Sequence, residues 1–452
     1  LLLLCLPAIA DARTRPRYGG VLRVETQRDL WQGADAIARR ITMDGLTQID
    51  EFGTVKPALA VQWVAQSGDR HWEFRLRANV HFHDGTPLTA DAAAASLTAA
   101  CNDACPWRTV RAVGQALVFM SDSPEPDLPA QLAQSRFLIS RQTETGAGDG
   151  TGPFSAVGMN GAAMRFTAND DCWSGRPFLD AVEIRSKRSI RDQWLDLSVG
   201  KADIVEVPAG LLRTAQQQRL KTLTSGPADL LALQVTRNGV LANEKLRQAI
   251  ALGVDRSSLF NVIFQKQGEV TASLLPGNES GYSFLFPTER NLERAAELRG
   301  GSNPQIALAS EDSGAELQLT AERIALNLRE AGFRVQVVSS NESARADVLL
   351  RRIHLEDPEA GAALAEFLEA FGSAVALTGA GSEADYRAER DFLAQSTLVP
   401  LVYLPRSYAV SDRVRDLRIA PDGVPILPDA SVEDATGSAT GEANGDATGA
   451  PQ

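Results

Sequence analysis

A chain of 452 residues with 44% hydrophobic and 23% charged side chains has the balance of a globular protein, and it is too long for one ordinary core, so two or three packed regions are expected. The formal net charge of -12 argues against the clustered basic surface that nucleic-acid binding needs and mainly helps solubility. The first residue is Leu1, and a short apolar run leads to Pro7-Ala8-Ile9-Ala10-Asp11-Ala12. Small-x-small after an apolar run fits the end of a secretory signal peptide, with cleavage after Ala10 or Ala12. Leu2, Leu3 and Leu4 precede Cys5 where a lipidation signal needs a small residue, so export without lipidation is the expectation.

The predicted elements follow in chain order. Alternation after Gly19-Gly20 predicts a strand over 21–26, and Trp72-Glu73-Phe74-Arg75-Leu76 alternates again. His83-Asp84-Gly85-Thr86-Pro87 is a dense turn signal, and Thr89 caps a helix over 90–100 with Asp91 in its first turn. Cys101 and Cys105 are spaced for a local disulfide in an oxidising compartment, which leaves Cys172 as an odd buried thiol; the other reading makes all three small core residues. A strand is expected over 182–185 and a helix over 190–199. In the second half, a strand at 306–309, a helix over 315–331 stopped by Gly332, and strands at 333–338 and 347–353 make a β-α-β unit with a parallel sheet. Such sheets take ligands at the carboxyl ends of their strands. From about Pro428 the chain is small and polar and reads as a disordered tail.

Catalytic and metal signatures are missing from the pattern. His81 and His83 lie near a turn with no third ligand in reach of the sequence, and no nucleophile elbow is present. The Gly150-Thr151-Gly152-Pro153 loop has no following Lys-Ser/Thr, so it is not a phosphate loop. Neither an enzyme, nor a cofactor, nor a metal site is expected.

Several segments taken together resemble the extracytoplasmic solute-binding proteins that serve dipeptide, oligopeptide and nickel importers. They are Gly19-Gly20-Val21-Leu22-Arg23-Val24, Asp44-Gly45-Leu46 with Pro57-Ala58-Leu59-Ala60, and the run from Trp72 to Asp91. Gly150-Thr151-Gly152-Pro153-Phe154, Trp173-Ser174-Gly175-Arg176-Pro177, Leu246-Arg247-Gln248-Ala249-Ile250 with Val254-Asp255-Arg256, and Pro400-Leu401-Val402-Tyr403 complete the ordered series. The resemblance implies an α/β, two-lobed periplasmic binding protein-like fold with an extra subdomain. It implies a ligand-capturing component of an ABC importer, for a peptide-like or small polar or anionic ligand. The partners would be the permease subunits, the state a monomer and the location the periplasm.

The implied layout is a signal remnant at 1–12, lobe I at 13–48, 156–230 and 399–427, the extra subdomain at 49–155, lobe II at 231–398, and the tail at 428–452. Motif residues such as Trp72, Phe74, Phe82, Gly85 and Pro87 read as structural, and Arg185 is expected to pair with Asp180. Peptide binders of the family carry W-x-x-D-Y-x-D-P; anchoring it on Asp357-Pro358 places His354 at the amine-binding Asp and Arg351 at the Trp. The family's F-N-T strand is Gln234-Val235-Thr236 here. Carried over, the resemblance marks His354, Arg351, Asp357, Thr26 and Val235 as ligand-binding residues. A His cannot replace a carboxylate on an ammonium, so a ligand not held by its free amino terminus is expected. The competing reading is a protein of the same fold that has become a periplasmic chaperone, sensor or interaction module.

Overall fold

The structure, a computed structural model, describes residues 18–29, 37–101, 105–142, 148–355, 360–372 and 381–433. Its frame is an 11-stranded mixed sheet. In chain order the strands are β1 Val21–Glu25, β2 Phe154–Asn160, β3 Ala163–Ala168, β4 Ala181–Arg185, β5 Ile204–Val207, β6 Lys221–Val235, β7 Glu269–Val270, β8 Gln305–Ser310, β9 Arg334–Val337, β10 Val348–His354 and β11 Leu398–Val410. The spatial order is β2-β3-β4-β1-β5-β11-β6-β10-β8-β9, with β7 on the side of β11.

Two strands are much longer than the rest, β6 with 15 residues and β11 with 13. They run antiparallel, from Lys221 opposite Val410 to Gln234 opposite Leu398. The end of β11 at 407–410 pairs with β5, whereas 229–235 of β6 pairs with β10. The two strands therefore leave one lobe and enter the other. The pairing shifts register around Pro227 and again between Leu231 and Ala232. Pro227 has no N–H for the ladder, so the ladder is interrupted where the strands change lobes.

Lobe I is built on β1, which pairs in parallel with β4 and β5. Its core holds Leu22, Val24, Phe166, Val182, Ile184 and Ile204. Lobe II is built on β8, parallel to β9 and β10, and its core gathers Leu231, Leu233, Leu308, Ile324, Leu328 and Leu350. The expected β-α-β unit is present: the helix spans Ala315–Glu330, and Gly332 follows at φ +89, where a Cβ would meet the Arg299 guanidinium. A third core, with Trp72, Phe74, Phe119, Trp107 and Phe137, belongs to the four-stranded sheet of Ala60–Gln66, His71–Leu76, Thr109–Val113 and Ala116–Met120. Helix Ala90–Ala100 packs on that sheet and is capped by Thr89, which accepts from Ala92 N. Cys101 and Cys105 are disulfide-bonded, with Cα atoms 5.6 Å apart, and Cys172 is a buried free thiol.

Two expectations are corrected. Residues 428–433 are packed on lobe I: Ser431–Val432 pairs with Val414–Arg415, Ala430 and Val432 join the core, and Val432 fills the space a Cβ on Gly20 would need. Arg185 does not pair with Asp180. It reaches Glu25 at 3.1 Å, because a residue at the carboxyl end of β4 lies beside the end of β1, whereas Asp180 pairs with Arg176. Among the described residues no helix is long and apolar enough to cross a membrane.

The sequence motifs serve as fasteners between these parts. Asp44 Oδ2 accepts from Trp173 Nε1 and from Thr151 Oγ1, both at 2.8 Å, so three separate motifs meet at one oxygen. A Cβ on Gly150 would lie 2.0 Å from the Thr42 carbonyl oxygen, which is why glycine stands there. His83 Nε2 lies 2.9 Å from the Gly152 carbonyl and its Nδ1 3.4 Å from Asp149. Arg247 and Arg256 bond the backbone carbonyls of Gln395 and Pro400, fixing the chain that returns along β11. Burial without an acidic partner pushes Arg256 down to about 10.

Candidate ligand site at the strand crossover

The parallel strands of both lobes point their carboxyl ends at the crossover of β6 and β11. In lobe I these ends carry Glu25, Arg185 and the turn after β1. In lobe II they carry Glu311 and His354. The crossover itself holds Asp229, on β6, and Arg406, on β11, both buried, the first directly before the apolar run Leu230-Leu231-Ala232-Leu233.

Asp229 joins every part of this region. Its Oδ1 accepts from Arg406 Nε at 2.9 Å, Arg406 Nη2 at 2.6 Å and His354 Nδ1 at 2.9 Å. Its Oδ2 accepts from Arg28 Nη2 at 3.3 Å. Arg28 comes from lobe I, His354 from lobe II, and the other two from the crossing strands. Burial alone would push the Asp229 carboxyl up, but the Arg406 and Arg28 guanidiniums outweigh it and hold it well below the usual carboxylate range. An ionised carboxylate only accepts, so the facing Nδ1 of His354 donates. In the neutral ring Nε2 is then an acceptor. That atom is buried and has no hydrogen-bond partner among the described residues, on a side chain only 10% exposed.

The remaining charges are matched locally. Glu25, buried, takes Arg185 at 3.1 Å and Arg188 at 3.5 Å, and Arg188 also reaches Asp196 at 2.9 Å. Burial, and then the hydrogen bond shared with Asp196, push the Glu25 carboxyl up. Glu206 accepts from Thr26 Oγ1 at 2.9 Å and from the Gln27 amide at 2.7 Å. Arg352 is held by Glu316, whose other oxygen takes the Gly210 amide at 3.2 Å.

The residues marked from the sequence fall into three groups. His354 is at the crossover, and Thr26 sits one shell back: its Oγ1 accepts from the Arg28 amide at 3.0 Å and so shapes the turn that presents Arg28. Arg351 is turned to the neighbouring strand, bonded to Gln234 at 3.1 Å and 3.5 Å from Glu311, with its guanidinium over the Phe371 ring. Val235 is 3% exposed within the lobe II core, and its amide bonds the Thr397 carbonyl at 2.8 Å. Asp357 lies outside the described residues. Sequence reasoning missed Asp229, Arg406 and Arg28. The signal for the first two was a charge set against an apolar run, 230–233 after Asp229 and 401–404 before Arg406, since a charge that cannot reach water needs a partner.

A model of the bacterial extracellular solute-binding proteins, family 5 Middle, matches residues 54–355. The chain belongs to this family. Among its relatives is a probable di/tripeptide-binding protein 5 of Pseudomonas aeruginosa, 24% identical over 348 residues, a match that covers 66% of this chain and 66% of that protein. The chain thus matches just under two thirds of that relative's length. The fold is shared with a dipeptide-binding protein from Pseudoalteromonas sp. SM9913 in complex with Met-Leu, at a TM-score of 0.79 and 16% identity, covering 92% of this chain and 100% of that one. It is also shared with NikA from Staphylococcus aureus in complex with Ni(L-His)2, at a TM-score of 0.76 and 17% identity, covering 91% and 100%. Both lobes of the family 5 architecture are therefore present, as the ordered motifs led one to expect.

Proposed function

We propose that this chain is the extracytoplasmic solute-binding component of an ABC importer, exported to the periplasm through a signal peptide and acting as a monomer. It captures a small polar or peptide-like ligand between its lobes and presents the closed form to the permease subunits. The supporting observation is the crossover itself. Carboxyl strand ends of both lobes meet at one polar cluster, and two long strands with broken register connect the lobes there. A ligand touching both sides favours the closed arrangement by its differential affinity for it. No nucleophile-base pair is assigned, and the role needs no chemical step. Family membership and the di/tripeptide-binding relative support the same reading.

The proposed ligand contacts are His354 and Arg28, with Thr26 positioning Arg28. Small-angle scattering of the full chain, with and without saturating ligand drawn from a panel of peptides, acidic metabolites and nickel–histidine complexes, tests the reading. A smaller radius of gyration on binding is expected. Binding to unfolded chains, with no small ligand altering the shape, would favour the chaperone role.

A further inference from the structure

Resting on the two-lobed capture reading, we propose that Gly210 of lobe I and Glu316 of lobe II form a latch that holds the lobes together at a point away from the proposed solute contacts. Residues 208–211 leave the carboxyl end of β5. Ala209 belongs to the lobe II core that gathers Leu231, Leu308 and Leu350, whereas Leu212 belongs with Val205 and Val207 in lobe I. Gly210 therefore stands at the boundary. Lobe II meets it with two groups. The Gly210 amide donates to Glu316 Oε1 at 3.2 Å, and a Cβ on Gly210 would lie 2.5 Å from the Ile263 carbonyl oxygen. Glu316 is in the first turn of helix Ala315–Glu330, which follows the carboxyl end of β8. Both partners thus extend from carboxyl strand ends, the edges that the two lobes turn toward each other.

The lobe II side is built as one piece. Arg352, near the carboxyl end of β10, bonds Glu316 Oε2 and leaves Oε1 to face lobe I. Arg323, on the same helix as Glu316, donates from Nε to Ser258 Oγ at 2.9 Å, and Asp255 Oδ1 accepts from the Ser258 amide at 2.9 Å. These bonds hold the helical segment Leu259–Ile263, whose last carbonyl meets Gly210. Glycine is needed at 210 for space and not for conformation. Its φ is not positive, so the backbone there suits an L side chain, and only the Ile263 carbonyl stands where a Cβ would go. Inside one core such an overlap has to be absorbed by strained packing. Between two lobes joined by strands of broken register, it is relieved when the lobes swing apart. The hydrogen bond to Glu316 likewise exists only while the lobes are together. Both contacts stabilise the closed arrangement alone. The closed fraction they set scales the apparent affinity for any solute that needs closure.

Small-angle scattering of the full chain without added solute, beside Gly210→Val and Glu316→Ala, tests the latch. The first variant adds bulk against the Ile263 carbonyl, and the second removes the acceptor without adding bulk. Both should shift to a larger radius of gyration, while hydrogen-exchange protection in the two lobe cores is retained. Glu316→Gln keeps an oxygen acceptor and should stay nearer the parent. Any peptide, acidic metabolite or nickel–histidine complex that contracts the parent should bind both variants about 10- to 100-fold more weakly, the span of one hydrogen bond to a charged group. A Glu316→Ala protein with the parent's radius overturns the latch, and does so even where Gly210→Val fails to fold. Loss of core protection in Glu316→Ala also overturns it, because the contact would then be part of the fold. The capture reading is judged separately. If the variants open but no member of that panel contracts the parent, the lobes are latched and the latch has no part in capture.

Discussion

Asp44 is half-buried and Asp229 buried, and the two carboxyls are shifted in opposite directions. Asp44 meets the indole of Trp173 and the hydroxyl of Thr151; burial outweighs these neutral donors and pushes its carboxyl up. Asp229 meets two guanidiniums, which outweigh burial and hold it far down. The first joins motif segments of the scaffold, and one oxygen accepts both bonds. The second ties together two lobes and the strands between them. The sign of the shift thus separates a fastener, where hydrogen bonding is enough, from a centre where charge is concentrated and held in place.

The largest expected effect lies at Asp229. Asp229→Asn removes the buried carboxylate that Arg406, Arg28 and His354 share, and losing one partner of a buried pair costs about 3–5 kcal/mol; urea unfolding should show a loss of that size. A cost below about 1 kcal/mol would mean the guanidiniums are solvated and the centre is not charge-organised. Gly150→Ala comes next. Its Cβ would lie 2.0 Å from the Thr42 carbonyl oxygen, so the backbone must shift. Overpacking of this kind costs about 1–3 kcal/mol, read by the same unfolding curve. Asp44→Asn should be the mildest of the three, within about 1 kcal/mol of the parent at neutral pH, because an amide oxygen can accept both bonds.

The smallest effect is a slope with pH, and its sign differs between the two aspartates. A lowered folded pKa makes the Asp229 contribution present above the unfolded value near ~3.9 and lost as pH falls through the lower folded value. A raised folded pKa makes the Asp44 contribution present below ~3.9 and lost as pH rises through the raised value. Asp44→Asn should therefore gain on the parent as pH rises from about 4, measured as the difference in unfolding free energy. Parallel curves would remove the contrast between the sites.

The scaffold was far more legible in the sequence than the crossover. Thr89 as a helix cap, Gly332 as a stop, and the alternation of 72–76 are local signals, and each element lies within a residue or two of its expected bounds. The long strand β6 was not legible, because Ser225-Gly226-Pro227 reads as a turn, whereas here it is a bend inside a continuous strand with shifted register. The partners Asp229 and Arg406 are 177 residues apart, and Arg28 is 201 from Asp229, so no spacing rule connects them. His354 was singled out through family resemblance. Its carboxylate partner on the neighbouring strand came only with the pairing of β6 and β10. The tail was misplaced by a few residues because Ala430 and Val432 are two small apolar positions in a polar stretch, too few to register as periodic.

The central claim is that the crossover holds a solute. Native mass spectrometry of the full chain and of a variant with both Arg28→Gln and His354→Gln, each purified without denaturation from the same cells, tests it most directly. The account predicts a small-molecule adduct on the parent that is absent from the variant, while hydrogen exchange in the lobe I and lobe II cores stays the same. An adduct retained equally by both proteins would contradict it.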